Sequence, residues 1–183
     1  MSKVISDCYL KTIRKSAECV VVRCYTGRRH EVYRKMVEKL PPWYIVGFVE
    51  GEGCFAITIS KHKTKRLRRD VRLIFEIELR GDDREILERL QYTLGCGSLY
   101  VLNYERYGWK PHVKYAAKGH ADIFKYIIPF FKKHPLQGKK RKDFEIFCQA
   151  AELVKQKRHL TEEGIKEFEK IRRYMNERRP FGG

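Results

Sequence analysis

The chain has 183 residues with 40 Lys+Arg against 23 Asp+Glu, a formal charge of +17 and a pI near 9.7, a balance that calls for a polyanionic partner. A basic membrane-surface protein would show the same charge, but no run approaches the roughly 18 apolar residues of a membrane span, and the N-terminus lacks the apolar centre of a signal peptide. With 43% hydrophobic content the chain can bury a real core as one compact domain with room for an appendage, and it reads as a soluble intracellular protein.

Residues 1 to 40 differ from the remainder of the chain. They hold one β-branched run, Cys19 to Tyr25, between basic, helix-compatible pieces. A plain extension without a separate role is the simplest reading, beside a small extra substructure or a DNA-contacting arm. The six cysteines, Cys8, Cys19, Cys24, Cys54, Cys96 and Cys148, are scattered, as expected of free thiols or small buried hydrophobes in a reducing compartment. Cys19 and Cys24 with His30 match no closed four-ligand zinc spacing.

Pro41 and Pro42 predict a helix start, since proline is tolerated in a first turn. Trp43 to Val49 are almost wholly apolar, which predicts a helix buried on most of its circumference. Gly47 and Gly51 share one face and leave room for another backbone to approach. Glu50 and Glu52 fall at the helix end, and Gly53 is a natural stop. Apolar packing would thus hold a carboxylate rigidly at a mouth, where a hard cation such as Mg²⁺ finds the oxygen ligands it prefers; a buried helix ending in a solvated turn is the plainer alternative.

From Cys54 onward Phe55, Ile57 and Ile59 alternate with Thr58, Ser60 and His62, the period of a strand with one apolar and one polar face. Val71, Leu73, Phe75, Ile77 and Leu79 repeat the pattern opposite Arg72, Glu76, Glu78 and Arg80. The tip between them carries Lys61, His62, Lys63, Lys65, Arg66, Arg68 and Arg69, a phosphate-binding composition. A helix from about Asp83 to Leu94 follows, with Ile86, Leu87, Leu90 and Leu94 inward and Gly95 as its stop. Ser98 to Tyr104 and Lys110 to Ala117 read as a second hairpin, with Leu99 and Val101 facing in and Ser98, Tyr100, His112, Lys114 and Lys118 facing out. The next helix holds Ile123, Phe124, Ile127 and Ile128, and Pro129 is expected to kink or close it. Helices near 139–156 and 162–176 complete the chain, the last capped by Thr161.

This order predicts an α+β fold, a four-stranded antiparallel saddle with helices on one face in an αββαββα core. Such a sheet can lie along a DNA major groove, which admits a two-stranded ribbon. Thr58, Ser60, His62, Arg72, Glu76, Tyr100, His112 and Lys114 are the candidate base readers, and Lys63, Lys65, Arg66 and Arg68 the candidate phosphate contacts.

Ile45-Val46-Gly47-Phe48-Val49-Glu50-Gly51-Glu52-Gly53 resembles the signature of the LAGLIDADG homing endonucleases. The resemblance extends over about residues 41 to 177, through Phe75-Glu76-Ile77, the Gly95-Cys96-Gly97 turn and Pro135 to Phe144. It assigns residues 41–183 to an endonuclease domain. It implies intron- or intein-linked cleavage of double-stranded DNA by Mg²⁺-dependent phosphodiester hydrolysis, with Glu52 and the Gly51 carbonyl as metal ligands. The segment after Pro135 is similar to the one that supplies a basic residue near the scissile phosphate, and Lys140 matches best, with Lys139 one register away. At Leu79 and Asp83 the chain departs from the residues that order solvent in some relatives, and no such role is carried over.

The signature occurs once, so the resemblance implies a homodimer whose helices pack through Gly47 and Gly51, flanked by Trp43 and Phe48, on a long pseudo-palindromic target. Two other readings of the same scaffold are an RNA-binding maturase that helps its host intron fold and a DNA-binding protein without catalysis.

Overall fold

The structure is a computed structural model that describes residues 11–14, 20–26, 29–35, 37–64 and 67–175. The chain divides into two compact units, Met1–Lys39 and Leu40–Gly183. In the first, β1 (Lys11–Arg14), β2 (Val20–Thr26) and β3 (Arg29–Lys35) form an antiparallel sheet in the order β1-β2-β3. Val22 pairs with Thr12 on one side and Tyr33 on the other. The expectation of one β run between helix-compatible pieces is therefore corrected, because Arg29–Lys35 is a strand. Its alternation is weak, and pairing with the Val-rich β2 decides its state where local propensity does not.

The second unit runs α1 (Pro42–Glu52), β4 (Gly53–Lys61), β5 (Arg69–Arg80), α2 (Arg84–Leu94), β6 (Ser98–Leu102), β7 (His112–Ala117), α3 (His120–Asp122), α4 (Ile128–Lys133), α5 (Lys140–Lys155) and α6 (Glu162–Met175). One antiparallel sheet of order β4-β5-β7-β6 results, as the element order predicts. Phe55 faces Phe75 and Ile77 faces Tyr115 on the core side, whereas Thr58 faces Arg72 and Glu78 faces Lys114 on the polar side. The Phe55 ring lies 5.0 to 5.5 Å from those of Phe75, Phe131, Phe144 and Phe147, which ties α4 and α5 to the sheet. Each buried phenylalanine contributes roughly 2–3 kcal/mol of transfer free energy, so this cluster fixes where the neighbouring helix ends stand.

Leu87, Leu90 and Leu94 turn α2 inward, and Gly95 ends it in the left-handed region at φ 72°. Gly97 also has positive φ, and a Cβ there would stand 2.6 Å from the Tyr115 ring, so the Gly-Cys-Gly turn is needed for both its backbone and its contact. Thr161 caps α6, its hydroxyl accepting from the Gly164 N–H at 3.1 Å.

Of the two effects expected of Pro129, closing the helix does not occur: the chain stays helical to Lys133, and a π turn over Ile123–Ile127 ends two residues before the proline, an irregularity that absorbs its missing N–H. Val101 shares the core-side face with its buried partner Val113 but is not covered there: it is 66% exposed, on the edge strand β6.

Candidate active site

Helix α1 positions the site. Pro41 is extended, and its carbonyl accepts from the Tyr44 and Ile45 N–H groups to start the helix. Only Ile45 and Val49 are buried. The opposite side is open among the described residues: Trp43 is 74% exposed, and a Cβ added at Gly47 or Gly51 would meet nothing within 4 Å. Phe48 is partly buried and stacks on Tyr44 with centroids 6.1 Å apart. The expected burial around most of the circumference is thus corrected to one side, because one chain supplies packing for only one.

At the C-terminal end the two acids have different surroundings. One oxygen of Glu50, Oε1, accepts from the Gln137 N–H at 2.6 Å and the Gly138 N–H at 2.7 Å. Position 138 has no room for a side chain, since a Cβ would stand 2.7 Å from the other Glu50 oxygen. The clamped segment leads straight into α5, whose first residue, Lys140, directs its ammonium to the carbonyls of Glu50 at 3.3 Å and Gly51 at 3.2 Å. Lys139, one residue earlier, is exposed. Glu52 is exposed and has no hydrogen bond or ion pair among the described residues.

The Glu52 carboxylate and the Gly51 carbonyl are therefore the oxygen donors that the α1 end offers. Among the described residues no group of three or more His, Cys, Asp or Glu gathers to hold a metal. Cys54 follows immediately on β4, opposite Glu76. Burial pushes its thiol up, Glu76 and Asp143 add to this, and Lys140 and Lys114 oppose it. The group is a protonated thiol at neutral pH and a poor nucleophile.

The polar face of the sheet carries the remaining candidates. Thr58 and Ser60 lie on β4, with His62 just beyond it accepting from the Thr64 N–H at 3.4 Å. Lys63 and Arg68 flank the β4–β5 tip, where the His62 N–H donates to the Arg68 carbonyl at 2.9 Å and Arg68 takes φ 50°. Lys65 and Arg66 lie outside the described residues. Arg72 is anchored by Asp70, Nε to Oδ2 at 2.6 Å.

Glu78 is the centre of a second network, and sequence reasoning placed it on this face without giving it a role. Tyr104 donates to its Oε1 at 3.0 Å, His112 Nδ1 stands 3.1 Å from the same oxygen, and Lys114 reaches Oε2 at 3.0 Å and Glu76 at 3.6 Å. Burial pushes the Glu78 carboxyl up, but bonds from Lys114, Tyr104 and His112 outweigh it and hold it below the ordinary value. Lys114 loses by burial and gains more from Glu78 and Glu76, so its ammonium is reinforced. Tyr100 faces Lys114 across the strands and lies under the Lys118 ammonium at 4.5 Å. An acid among cations on the polar side was the available signal; its partners depended on the β5–β7 register, which local patterning does not carry.

A four-stranded antiparallel sheet with one apolar and one basic-polar face, and a glycine-faced helix that ends in an exposed carboxylate with a lysine bonded to its last carbonyls, define a scaffold of the LAGLIDADG class. A profile described as LAGLIDADG endonuclease matches residues 45–151. The chain belongs to this family. It is 33% identical over 139 residues to the probable intron-encoded endonuclease 3 of Neurospora crassa, covering 75% of this chain and 25% of that protein. The probable intron-encoded endonuclease Cox1-I1b of Schizosaccharomyces pombe is 33% identical over 107 residues, with 58% of this chain and 26% of the relative covered. The chain thus spans about a quarter of the length of the curated relatives it matches.

Among solved structures, the homing endonuclease I-TnaI superposes with a TM-score of 0.69 at 31% identity, covering 76% of this chain and 90% of that one. The I-LtrWI LAGLIDADG homing endonuclease bound to target DNA superposes with a TM-score of 0.71 at 30% identity, over 86% of this chain and 50% of that one. No helix among the described residues is long and apolar enough to cross a membrane.

Proposed function

We propose that the chain is one half of a site-specific, double-strand DNA homing endonuclease that works inside the cell as a homodimer. The observation that carries this is the contrast at the end of α1, where Glu50 is consumed by Gln137 and Gly138 while Glu52, two residues on, is left for an outside ligand beside Lys140. The open Gly47 and Gly51 face supports a second α1 packed against the first. Such a pair would bring the two Glu52 carboxylates together, where their mutual repulsion favours a bound cation.

The all-oxygen donor set of Glu52 and the Gly51 carbonyl fits Mg²⁺. When bound, that ion supplies Lewis-acid activation of water and of the leaving 3′ oxygen. Glu52 holds the charge that places it, and α1 fixes Glu52 through the buried Ile45 and Val49. Lys140, steered by the Glu50 clamp, stabilises negative charge developing on the scissile phosphate. The polar face of β4 to β7 reads the major groove of one half-site, and the cations at the β4–β5 tip hold the backbone. Two-fold symmetry makes the target long and approximately palindromic.

Digestion of a randomised duplex library tests this reading. We expect recurrent two-fold sites cut on both strands with short 3′ overhangs, activity lost to EDTA and restored by Mg²⁺, and a dimer on the recovered target by sedimentation. A monomer on its target refutes the dimer, and cutting without divalent ions refutes the metal role.

A further inference from the structure

The turn between β6 and β7 carries an aromatic group whose two outer rings, Tyr107 and Trp109, have no task so far. Tyr104, Tyr107, Trp109 and His112 form one aromatic group, with ring centroids 5.0 Å apart for Tyr104 and His112 and 6.0 to 6.5 Å for Tyr104–Tyr107, Tyr104–Trp109, Tyr107–Trp109 and Trp109–His112. The base of the group is fixed, since Tyr104 donates to Glu78 and the His112 ring stands against the same carboxylate. The tip is fixed as well. Tyr107 and Trp109 N–H groups both donate to the Tyr104 carbonyl, at 2.8 and 3.3 Å, and Gly108 turns the chain at φ 73°. Asn103 accepts from the Glu105 N–H at 2.8 Å and closes the turn from the other side.

Held in this way, the two outer rings nevertheless face solvent: Tyr107 is 57% and Trp109 62% exposed. Trp109 lies nearly parallel to the His112 ring at 23°, with centroids 6.5 Å apart, and keeps most of its indole exposed. Tyr107 stands beside it at 49° as a wall and carries the Arg106 guanidinium 4.6 Å from its centroid. Lys110 is exposed next to Trp109, and the Asn103 amide already engages Glu105, the one acid of the turn. A rigid indole face with two cations beside it, on a chain of charge +17, is complementary to a base and its phosphates. Base faces are covered in a duplex and available only in unpaired strands, where stacking on aromatic side chains dominates recognition.

We propose that the β6–β7 tip is a stacking site for unpaired nucleobases, with Trp109 as the platform, Tyr107 as the wall, and Arg106 and Lys110 as phosphate contacts. This goes beyond the cleavage reaction, and its test needs neither the target site nor a metal.

The chain has two tryptophans, so Trp43→Phe leaves Trp109 as the sole indole reporter. That protein is titrated with short oligothymidylate, short oligouridylate and a mixed-sequence duplex of equal phosphate count. Saturable quenching by at least one single strand, and little by the duplex, is expected, and the stronger of the DNA and RNA arms names the natural source. In parallel, Trp109→Leu and Tyr107→Leu, made in the otherwise unaltered chain, should weaken single-strand binding by about tenfold, the scale of one lost stack, and duplex binding by less than about twofold. Equal loss on duplex and single strand, or no loss on either, overturns the proposal. Should a leucine variant fail to fold, quenching by the duplex alone, or by no nucleic acid, overturns it on the fluorescence evidence.

Discussion

Two pairs of acids in this molecule have the same spacing and different surroundings. Glu76 and Glu78 stand two apart on β5, and both are engaged, by Lys114 and by Tyr104, His112 and Lys114. Glu50 and Glu52 stand two apart at the end of α1, and among the described residues only Glu50 is engaged. The strand pair spends its charge on holding donors in place. The helix pair divides the work, one acid building the neighbourhood and the other left outward. Under the proposed function this contrast assigns Glu52 to the reacting site and makes Glu50 a positioning residue.

The open side of α1 gives the largest expected effect on this contrast. A Cβ at Gly47 meets nothing within 4 Å among the described residues, and Gly47→Leu removes a mid-helix glycine, so the melting point should rise, in line with about 0.5–1 kcal/mol of helix propensity. Self-association should be lost all the same, and target cleavage should fall by at least about 100-fold. A variant that is more stable and still fully active breaks the dimer reading.

Next comes the clamp. Glu50→Gln trades charge-assisted bonds to two backbone N–H groups for weaker neutral ones, at a cost of about 1–2 kcal/mol for a group partly in solvent. Cleavage should fall by about tenfold as Lys140 drifts from the Gly51 carbonyl. Gly138→Ala should act in the same direction, since its Cβ would crowd the Glu50 carboxylate. A rate unchanged in both variants would mean that Lys140 is placed by α5 alone.

The strand pair predicts a smaller, pH-dependent effect. The folded pKa of Glu78 lies below its ordinary 4.5, so its contribution is complete above that value and is lost as pH falls through the folded pKa. At neutral pH Glu78→Gln should lower Tm by about 2–4 °C, on the order of 1 kcal/mol after solvent screening. Melting curves of variant and parent should converge in acid; a constant gap down to pH 3 would show that Glu78 acts through packing. Smallest of all, Lys63→Ala should weaken DNA binding evenly across sequences and reduce the salt slope by about one. A loss confined to particular sequences would make Lys63 a base reader.

Much of this was legible from residues alone. The two-residue period of Phe55 to Ile59 and Val71 to Leu79 placed both β4 and β5 with their polar faces, and Gly95 and Thr161 marked helix ends that the structure shows. The signature helix was legible because apolar residues, glycines and acids occur in one short run. What was not legible depended on partners distant in sequence. Arg29–Lys35 is a strand because β2 lies beside it, Val101 is exposed because β6 is an edge, and Glu78 is a hub because β7 sets His112 and Lys114 against it. Pro129 left kink and closure open, and a π turn before it lets the helix run on to Lys133.

The central claim is that Glu52 is left bare in order to do chemistry. It is tested most directly by Glu52→Gln, assayed for binding and for cleavage on the same recovered target in Mg²⁺. The account predicts binding within about twofold of the parent and cleavage lower by about 10³-fold or more, the scale of losing a group that places transition-state charge. Cleavage retained by Glu52→Gln would contradict it.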